Sequence, residues 1–326
     1  MEFMESPKLL SIVIPTLNRR AMLEMTLDYL ATEIEGFESR VEFVVVNNAS
    51  DDDTLTFLTT LKTHAAARVV SFDERADIDS SFRRCVDVTT GRYINIFGDD
   101  DLPMPGFVRR IIEALDAGQN PALIYFNRLI GDETLQHVAE IAHPDHGMEI
   151  ISFDTESFIR EFTHNPGFIT SLVFDRLCWS EGERFYSSDF QGYKFLARIY
   201  GGSKGRTCMY VGMPSLIQRR GVQSWKKEWP RYWLVNMPRL LSALEEAGIT
   251  SGALEQWQSK EVSLKRLIVD CVVAKAYDYR VDDPFWVLAS RFQHKHRAIL
   301  IQLVRFLVPP FLARAAYFRR GKYRAS

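Results

Sequence analysis

Three carboxylates stand side by side at Asp99, Asp100 and Asp101, after the apolar run Arg92–Phe97 and Gly98, and before Leu102-Pro103. Adjacent carboxylates repel one another, so something must offset their field. A hard divalent cation, Mg2+ or Mn2+, suits an all-oxygen cluster. Such an ion can bridge phosphate oxygens and stabilise charge on a departing diphosphate. A solvated acidic turn that caps the next helix is the plainer account of a bare Asp triplet. Here the triplet follows a buried strand, which favours chemistry. Two further polar turns follow apolar runs: Pro15-Thr16-Leu17-Asn18-Arg19 after Leu9–Ile14, and Asn47-Asn48-Ala49-Ser50-Asp51 after Val41–Val46. Short polar side chains at such ends can hydrogen-bond a base and ribose, although Asn and Asp also favour turns for conformational reasons alone. Farther on, Gln218-Arg219-Arg220 offers guanidinium groups suited to bidentate phosphate contact, with a solvated basic loop the competing account.

These groups need elements to position them. Leu9–Ile14, Val41–Val46, Arg68–Phe72, Arg92–Phe97 and Ala122–Phe126 read as short strands, apolar and β-branched. Between them, Asn18–Leu30, Asp53–His64, Ser80–Thr89 and Gly106–Leu115 read as helices. Alternation of this kind predicts an α/β fold with a mostly parallel sheet and helices on both faces. Ligands of such sheets lie at the carboxyl ends of the strands, where the polar turns fall. From Pro238 the strand signals stop, and Leu240–Ala247 and Ala253–Tyr279 predict a C-terminal helical extension. The expected division is a catalytic domain over residues 1–225 and a helical region over 226–326.

The chain has 326 residues, 46% hydrophobic and 25% charged, which excludes a disordered, collagenous or disulfide-stapled protein. Its net charge of −2 hides an uneven distribution. Residues 291–326 hold nine Lys/Arg and no Asp or Glu, whereas the preceding 290 hold 31 basic and 42 acidic groups. An acidic body argues against nucleic acid as a partner. The four cysteines form no CxxC pair, as expected of reduced, buried thiols. His143 and His146 lie in a Pro/Asp/Gly loop that reads as solvated, and the histidines make no metal-ligand pattern. Trp225, Trp229 and Trp233 could meet a lipid interface or sugar rings, but core packing is the expected role. The N-terminus lacks signal-peptide character, and no uncharged apolar stretch is long enough to span a membrane. In the tail, Ile299, Leu300, Leu303, Phe306 and Leu307 form an apolar face beside basic positions, a pattern that can lie in an anionic bilayer interface. Packing of this tail on the acidic body, or a contact in a homo-oligomer, is the alternative.

Taken together, Ser11–Arg19 (SIVIPTLNR), Val46–Asp51 (VNNASD), Thr90–Ile94 (TGRYI) and Phe97–Pro103 (FGDDDLP) resemble the ordered motifs of family-2 glycosyltransferases with the GT-A fold. The FGDDD form, followed by Asn165–Val173 (NPGFITSLV), looks most like bacterial surface-polysaccharide transferases, of which the O-antigen abequosyltransferases are one group. The resemblance implies a nucleotide-diphospho-sugar donor and a divalent metal. It places Pro15, Thr16 and Asn18 on the nucleotide-binding loop, with Asn47, Asn48 and Asp51 at the base and ribose and Arg84 near the donor phosphates. Asn47 stands where many relatives have Asp. Gly98 replaces the first Asp of the common DxDD form, so the metal role falls on Asp100, with Asp99 and Asp101 supporting.

An inverting transfer also needs a carboxylate to take the acceptor's proton. The family pattern places it before an amphipathic helix, and Asp189, ahead of Tyr193–Ile199, fits; an N-cap role is the competing account. Asp175, Glu181 and Glu183 match less well. The implied enzyme works in the cytoplasm at the inner face of the membrane, on a lipid-linked saccharide acceptor. Two rival readings are a nucleotidyltransferase, which would need a glycine-rich loop that Ser11–Arg20 lacks, and a catalytically silent nucleotide-sugar-binding scaffold.

Overall fold

The computed structural model describes residues 8–61, 67–163, 165–222, 228 and 231–261, with 308–309, 311–313 and 315. The chain divides into two compact units. One comprises Met1–Ser187 with Lys194–Val222, and the other Ser188–Tyr193 with Gln223–Ser326.

The first unit is built on a mixed sheet. Its elements run β1 (Leu10–Thr16), α1 (Arg20–Ile34), β2 (Val41–Asn48), α2 (Thr54–Leu61), β3 (Arg68–Phe72), α3 (Ile78–Asp87), β4 (Tyr93–Ile96), β5 (Leu102–Pro103) and α4 (Phe107–Asp116). They continue through β6 (Leu123–Gly131), β7 (Val138–Ile141), β8 (Ile150–Asp154), α5 (Thr155–Phe162), β9 (Leu172–Asp175), α6 (Arg176–Glu181), α7 (Lys194–Gly202) and β10 (Thr207–Arg219). The main strand order is β3-β2-β1-β4-β9-β6-β10-β5, with β7 on β6 and β8 on β10. Strands β3, β2, β1 and β4 are mutually parallel, and β6 and β10 share their direction across the antiparallel β9. The sheet is therefore mostly parallel but mixed. The strands after β6 belong to segments without the short apolar runs that mark β1, β2 and β4.

Parallel strands covered on both faces are apolar at nearly every position. In β1, Leu10, Ile12 and Ile14 join a core with Leu23, Leu27 and Leu30 of α1 and Val108, Ile111 and Ile112 of α4. Val13, on the opposite face of the same strand, is also fully buried. Each such side chain contributes roughly 1.5–3 kcal/mol on burial.

The strand β4 must approach β1 closely, because the acidic turn hangs from its end. Gly91 makes this approach. Its amide donates to Ser11 Oγ at 2.8 Å, and a Cβ there would stand 2.5 Å from that oxygen and 2.6 Å from the Ser11 amide nitrogen. Four residues of β4 then pair with β1 in parallel register, ending at Val13 opposite Ile96.

His143 is not solvated, contrary to expectation from the composition of its loop, although Pro144, Asp145, Gly147 and Met148 of that loop are exposed. His143 is 8% exposed, and its Nε2 lies 2.7 Å from Tyr125 Oη, which also accepts from Arg128 Nη1 at 2.8 Å. Asn127 fixes the backbone there by donating to the His143 carbonyl and accepting from its amide. Burial, then the Arg128 charge and His146, push His143 down to about 3.

In the second unit, Trp233 packs on Trp257 with ring centroids 5.6 Å apart. This core role is the one expected for Trp233; Trp225 and Trp229 lie outside the described residues. Helices α8 (Met237–Glu246) and α9 (Ala253–Glu261) follow, and the rest of the helix expected over Ala253–Tyr279 lies outside the described residues. So does nearly all of the basic tail. No helix among the described residues is long and apolar enough to cross a membrane.

Two outcomes follow from these contacts. Gly91→Ala is expected to destabilise the chain by about 2–3 kcal/mol in urea unfolding, since backbone of β1 cannot move aside. For His143, the folded pKa lies below the unfolded value of 6.5. Stability should therefore fall as pH drops from about 6.5 toward about 3, by at most about 1.4 kcal/mol per pH unit from this group. His143→Gln should remove that part of the slope in unfolding curves measured across the range.

Candidate active site

Parallel strands end at one edge of the sheet, so the turns after β1, β2 and β4 must meet. Thr16 at the end of β1 pairs in register with Asn47 of β2. The amide of Phe97, just past β4, donates to the Val13 carbonyl of β1 at 2.9 Å. The turn Gly98–Asp101 then folds beside Thr16.

The carboxylates of the acidic turn divide between two sets of partners. Asp99 Oδ2 accepts from Thr16 Oγ1 at 2.8 Å, and Asp99 Oδ1 from Arg19 Nη1 at 3.3 Å. The same Arg19 nitrogen lies 2.6 Å from Asp100 Oδ2. Asp101 turns away. Its Oδ2 accepts from Thr170 Oγ1 at 2.6 Å and its Oδ1 from the Arg219 amide at 3.2 Å. Thr26 of α1 ties the turn from below, donating to the carbonyls of Asp99 and Asp101. Asp99 and Asp101 are buried, at 7% and 3% exposure. Burial pushes the Asp99 carboxyl up to about 7 against the pull of Arg19. Burial and then Asp100 hold Asp101 well above the usual carboxylate range. Burial alone would lower the Arg19 pKa, but Asp99 and Asp100 outweigh it and raise it.

The three carboxylates expected to act together thus separate. Asp99 and Asp100 share one guanidinium, whereas Asp101 is a structural tie to Thr170 and β10. Among the described residues, no set of three His, Cys, Asp or Glu side chains converges as a metal-holding group. The reason lies at Gly98. A Cβ there would stand 2.7 Å from Asp101 Oδ2 and 3.1 Å from Thr170 Oγ1. Asp101 folds back into space that a side chain at position 98 would need.

The nucleotide-loop candidates lock onto one another. Asn18, in the left-handed region at φ 55°, donates from Nδ2 to Asp51 Oδ1 and accepts at Oδ1 from the Asp51 amide. Asn and Asp tolerate that backbone better than most residues. The Asn18 amide also donates to Ser50 Oγ, and Asn47 Oδ1 accepts from the Ser50 amide. Asp51 is exposed, and the Asn18 bond, then Arg75, lower its pKa. Asn48 and Arg84 form a second group. Asn48 Oδ1 accepts from the Ala76 amide and Arg84 Nη1, and the Arg84 guanidinium stacks 4.3 Å over Phe72. Arg84 therefore braces the loop after β3, where its Nη1 also donates to the Glu74 carbonyl at 2.7 Å. Pro15, half-buried, closes β1.

At the far end of β10, Arg219 is buried and donates from Nε to the Asp100 carbonyl and from Nη1 to the Glu133 carbonyl. Arg220 is exposed and faces Glu140 at 3.3 Å. Asp189 belongs to the second unit, in an exposed position of the short turn Ser188–Phe190. Of its rivals, Asp175 is buried, caps α6 and pairs with Arg206 at 2.6 Å. Glu183 pairs with Arg198.

Residues 11–173, half of the chain, match the family model described as Glycosyl transferase family 2. The chain belongs to this family. The glycosyltransferase also shares its fold with solved structures. The fragment 1–349 of S. aureus TarS aligns with a TM-score of 0.58 at 13% identity, covering 96% of this chain and 92% of that one. The same fragment in complex with UDP-GlcNAc gives a TM-score of 0.59 at 13% identity, and its complex with UDP gives 0.55 at 12%, both with the same coverage. Identity at this level carries the α/β GT-A fold and nothing finer. No curated protein matches the sequence.

Three residues of the glycosyltransferase site escaped the sequence reading: Arg19, Thr26 and Thr170. Arg19 was within reach, because three adjacent carboxylates require a cation and it is the first one after β1. Thr26 and Thr170 carried no signal beyond their motif or helix. Gly98→Asp restores the acid common in the family motif, yet it should destabilise this chain by roughly 3 kcal/mol, because it buries a fourth carboxylate against Asp101. Chemical denaturation of the purified variant checks this.

Proposed function

We propose that the chain transfers a sugar from a nucleotide-diphospho-sugar to a lipid-linked saccharide acceptor in bacterial surface-polysaccharide assembly. The observation that carries the donor part is the meeting of Thr16, Arg19, Asp99 and Asp100 beside the interlocked loops 16–19 and 47–51. Membership of a glycosyltransferase family supports it, as does a shared fold with a protein solved with UDP-GlcNAc and with UDP. The nucleotidyltransferase and scaffold readings find no comparable support.

Asp99 and Asp100 offer the hard oxygen donors that Mg2+ or Mn2+ takes. The group already lodged between them is a cation, so the pair fits a divalent ion. When bound, that ion would supply charge stabilisation for the departing nucleoside diphosphate. Asp101 would act through the turn it anchors. Thr16 holds the Asp99 carboxylate in place, and Asn18 and Asp51 keep the two nucleotide loops in a fixed relation. Asp189 is the proposed general base. What supports it is its exposed carboxylate and its place just ahead of α7, where the family pattern puts this acid. The +9 tail supports peripheral attachment to an anionic membrane, where a polyprenyl-linked acceptor would reside. The FGDDD motif supports surface polysaccharide as the product class.

Three measurements test this reading. A thermal-shift screen of UDP, CDP, GDP and dTDP with Mn2+ should find one diphosphate that raises the melting temperature, and no shift with any of them would refute the donor assignment. Asp189→Asn should lower kcat about 100-fold or more while nucleotide affinity is kept; retained turnover removes Asp189 from the mechanism. Deleting residues 291–326 should weaken sedimentation with anionic vesicles, and equal sedimentation would contradict membrane attachment.

A further inference from the structure

A buried carboxylate beside a half-buried one needs a compensating charge, and removing that charge is costly. Here Arg19 supplies it. Its Nη1 reaches Asp99 Oδ1 at 3.3 Å and Asp100 Oδ2 at 2.6 Å, and its Nη2 donates to the Val222 carbonyl at 2.7 Å. All three side chains are largely shielded from water, at 16%, 10% and 14% exposure. Arg19 is therefore lodged between the oxygens that a divalent ion would use. Two cations cannot occupy that space together without strong repulsion. Ion binding and the Arg19 contact exclude each other.

We propose that Arg19 is the resident counter-cation of the Asp99–Asp100 pair, exchanged for a divalent ion on donor binding and thereby freed to bind the donor's diphosphate. The proposal rests on the metal-assisted donor reading given above. A freed guanidinium is suited to the incoming anion, because its planar fork can donate twice to phosphate oxygens. Its location helps. Arg19 directly precedes α1, whose first turn carries no acid and whose start has no side-chain cap; the positive end of a helix favours anions. Arg19 offsets one of the two charges before the ion arrives, and the divalent ion offsets both. The Arg19 contact also explains how the chain folds with buried carboxylates before any ion arrives.

The exchange predicts effects of opposite sign, which a purely structural role for Arg19 would not produce. In calorimetric titrations of the full chain, Arg19→Gln should bind Mn2+ alone about ten-fold more tightly than the wild type. The same variant should bind inorganic pyrophosphate, at saturating Mg2+, about ten-fold more weakly. Arg19→Lys, which keeps the charge and guards against misfolding of the Gln variant, should fall between the two in both titrations. Equal or weaker Mn2+ binding by Arg19→Gln overturns the exchange while leaving the metal reading intact. Unchanged pyrophosphate affinity overturns the second role of Arg19. If neither wild type nor variants bind Mn2+ at millimolar concentration, the proposal falls together with the metal reading beneath it.

Discussion

Two carboxylates without ready access to water, next to a third, set the terms for everything around them. Asp99 and Asp101 are stable in their places only because separate elements aim donors at them. Thr16 comes from β1, Arg19 from the turn into α1, Thr170 from the approach to β9, and the Arg219 amide from the end of β10. Thr26 of α1 holds the turn's backbone. The acidic turn thus adds side-chain ties between segments of a sheet already continuous through β9. Loss of Arg19 would leave Asp99 and Asp100 without the cation they share.

This arrangement divides labour within an apparently uniform motif. Asp99 and Asp100 share the Arg19 guanidinium. Asp101 spends its oxygens on a hydroxyl and an amide, and so belongs to the scaffold. Gly98 makes that possible, because the absence of a side chain lets Asp101 fold back. The departure from the common family motif at position 98 is therefore a packing solution tied to Thr170, in the NPGFITSLV segment that Asn95 and the β9–β6 pairing also hold.

Much of the first half of the fold could be read directly. The runs at β1, β2 and β4 are apolar at consecutive positions because both faces of each strand are covered, and that pattern is hard to mistake. Strand β3, less buried than β1, β2 and β4, was legible from its short apolar run, and helices α1 to α4 from their helical spacing. The later strands were not. β9 is only four residues long and runs antiparallel between β4 and β6, and β10 keeps going through polar positions because β6, β8 and β5 all pair with it. Partners distant in sequence decide such strands. His143 failed for a related reason. Its loop is largely exposed, as its composition suggests, yet Tyr125 and Asn127 of β6 hold the His143 ring and backbone inside.

The amino-acid sequence by itself determined the family, the α/β class, the three polar turns and the fact that they lie at strand ends. It could do so because local periodicity and ordered motifs are properties of neighbouring residues. Only the tertiary structure decided which side chains face one another there. It set Arg19 between Asp99 and Asp100, turned Asp101 toward Thr170, locked Asn18 to Asp51 and committed Arg84 to Asn48. Those pairings join residues separated by 33 to 81 positions. Their choice depends on strand register and on the cost of burying charge, neither of which is written in any short stretch of chain.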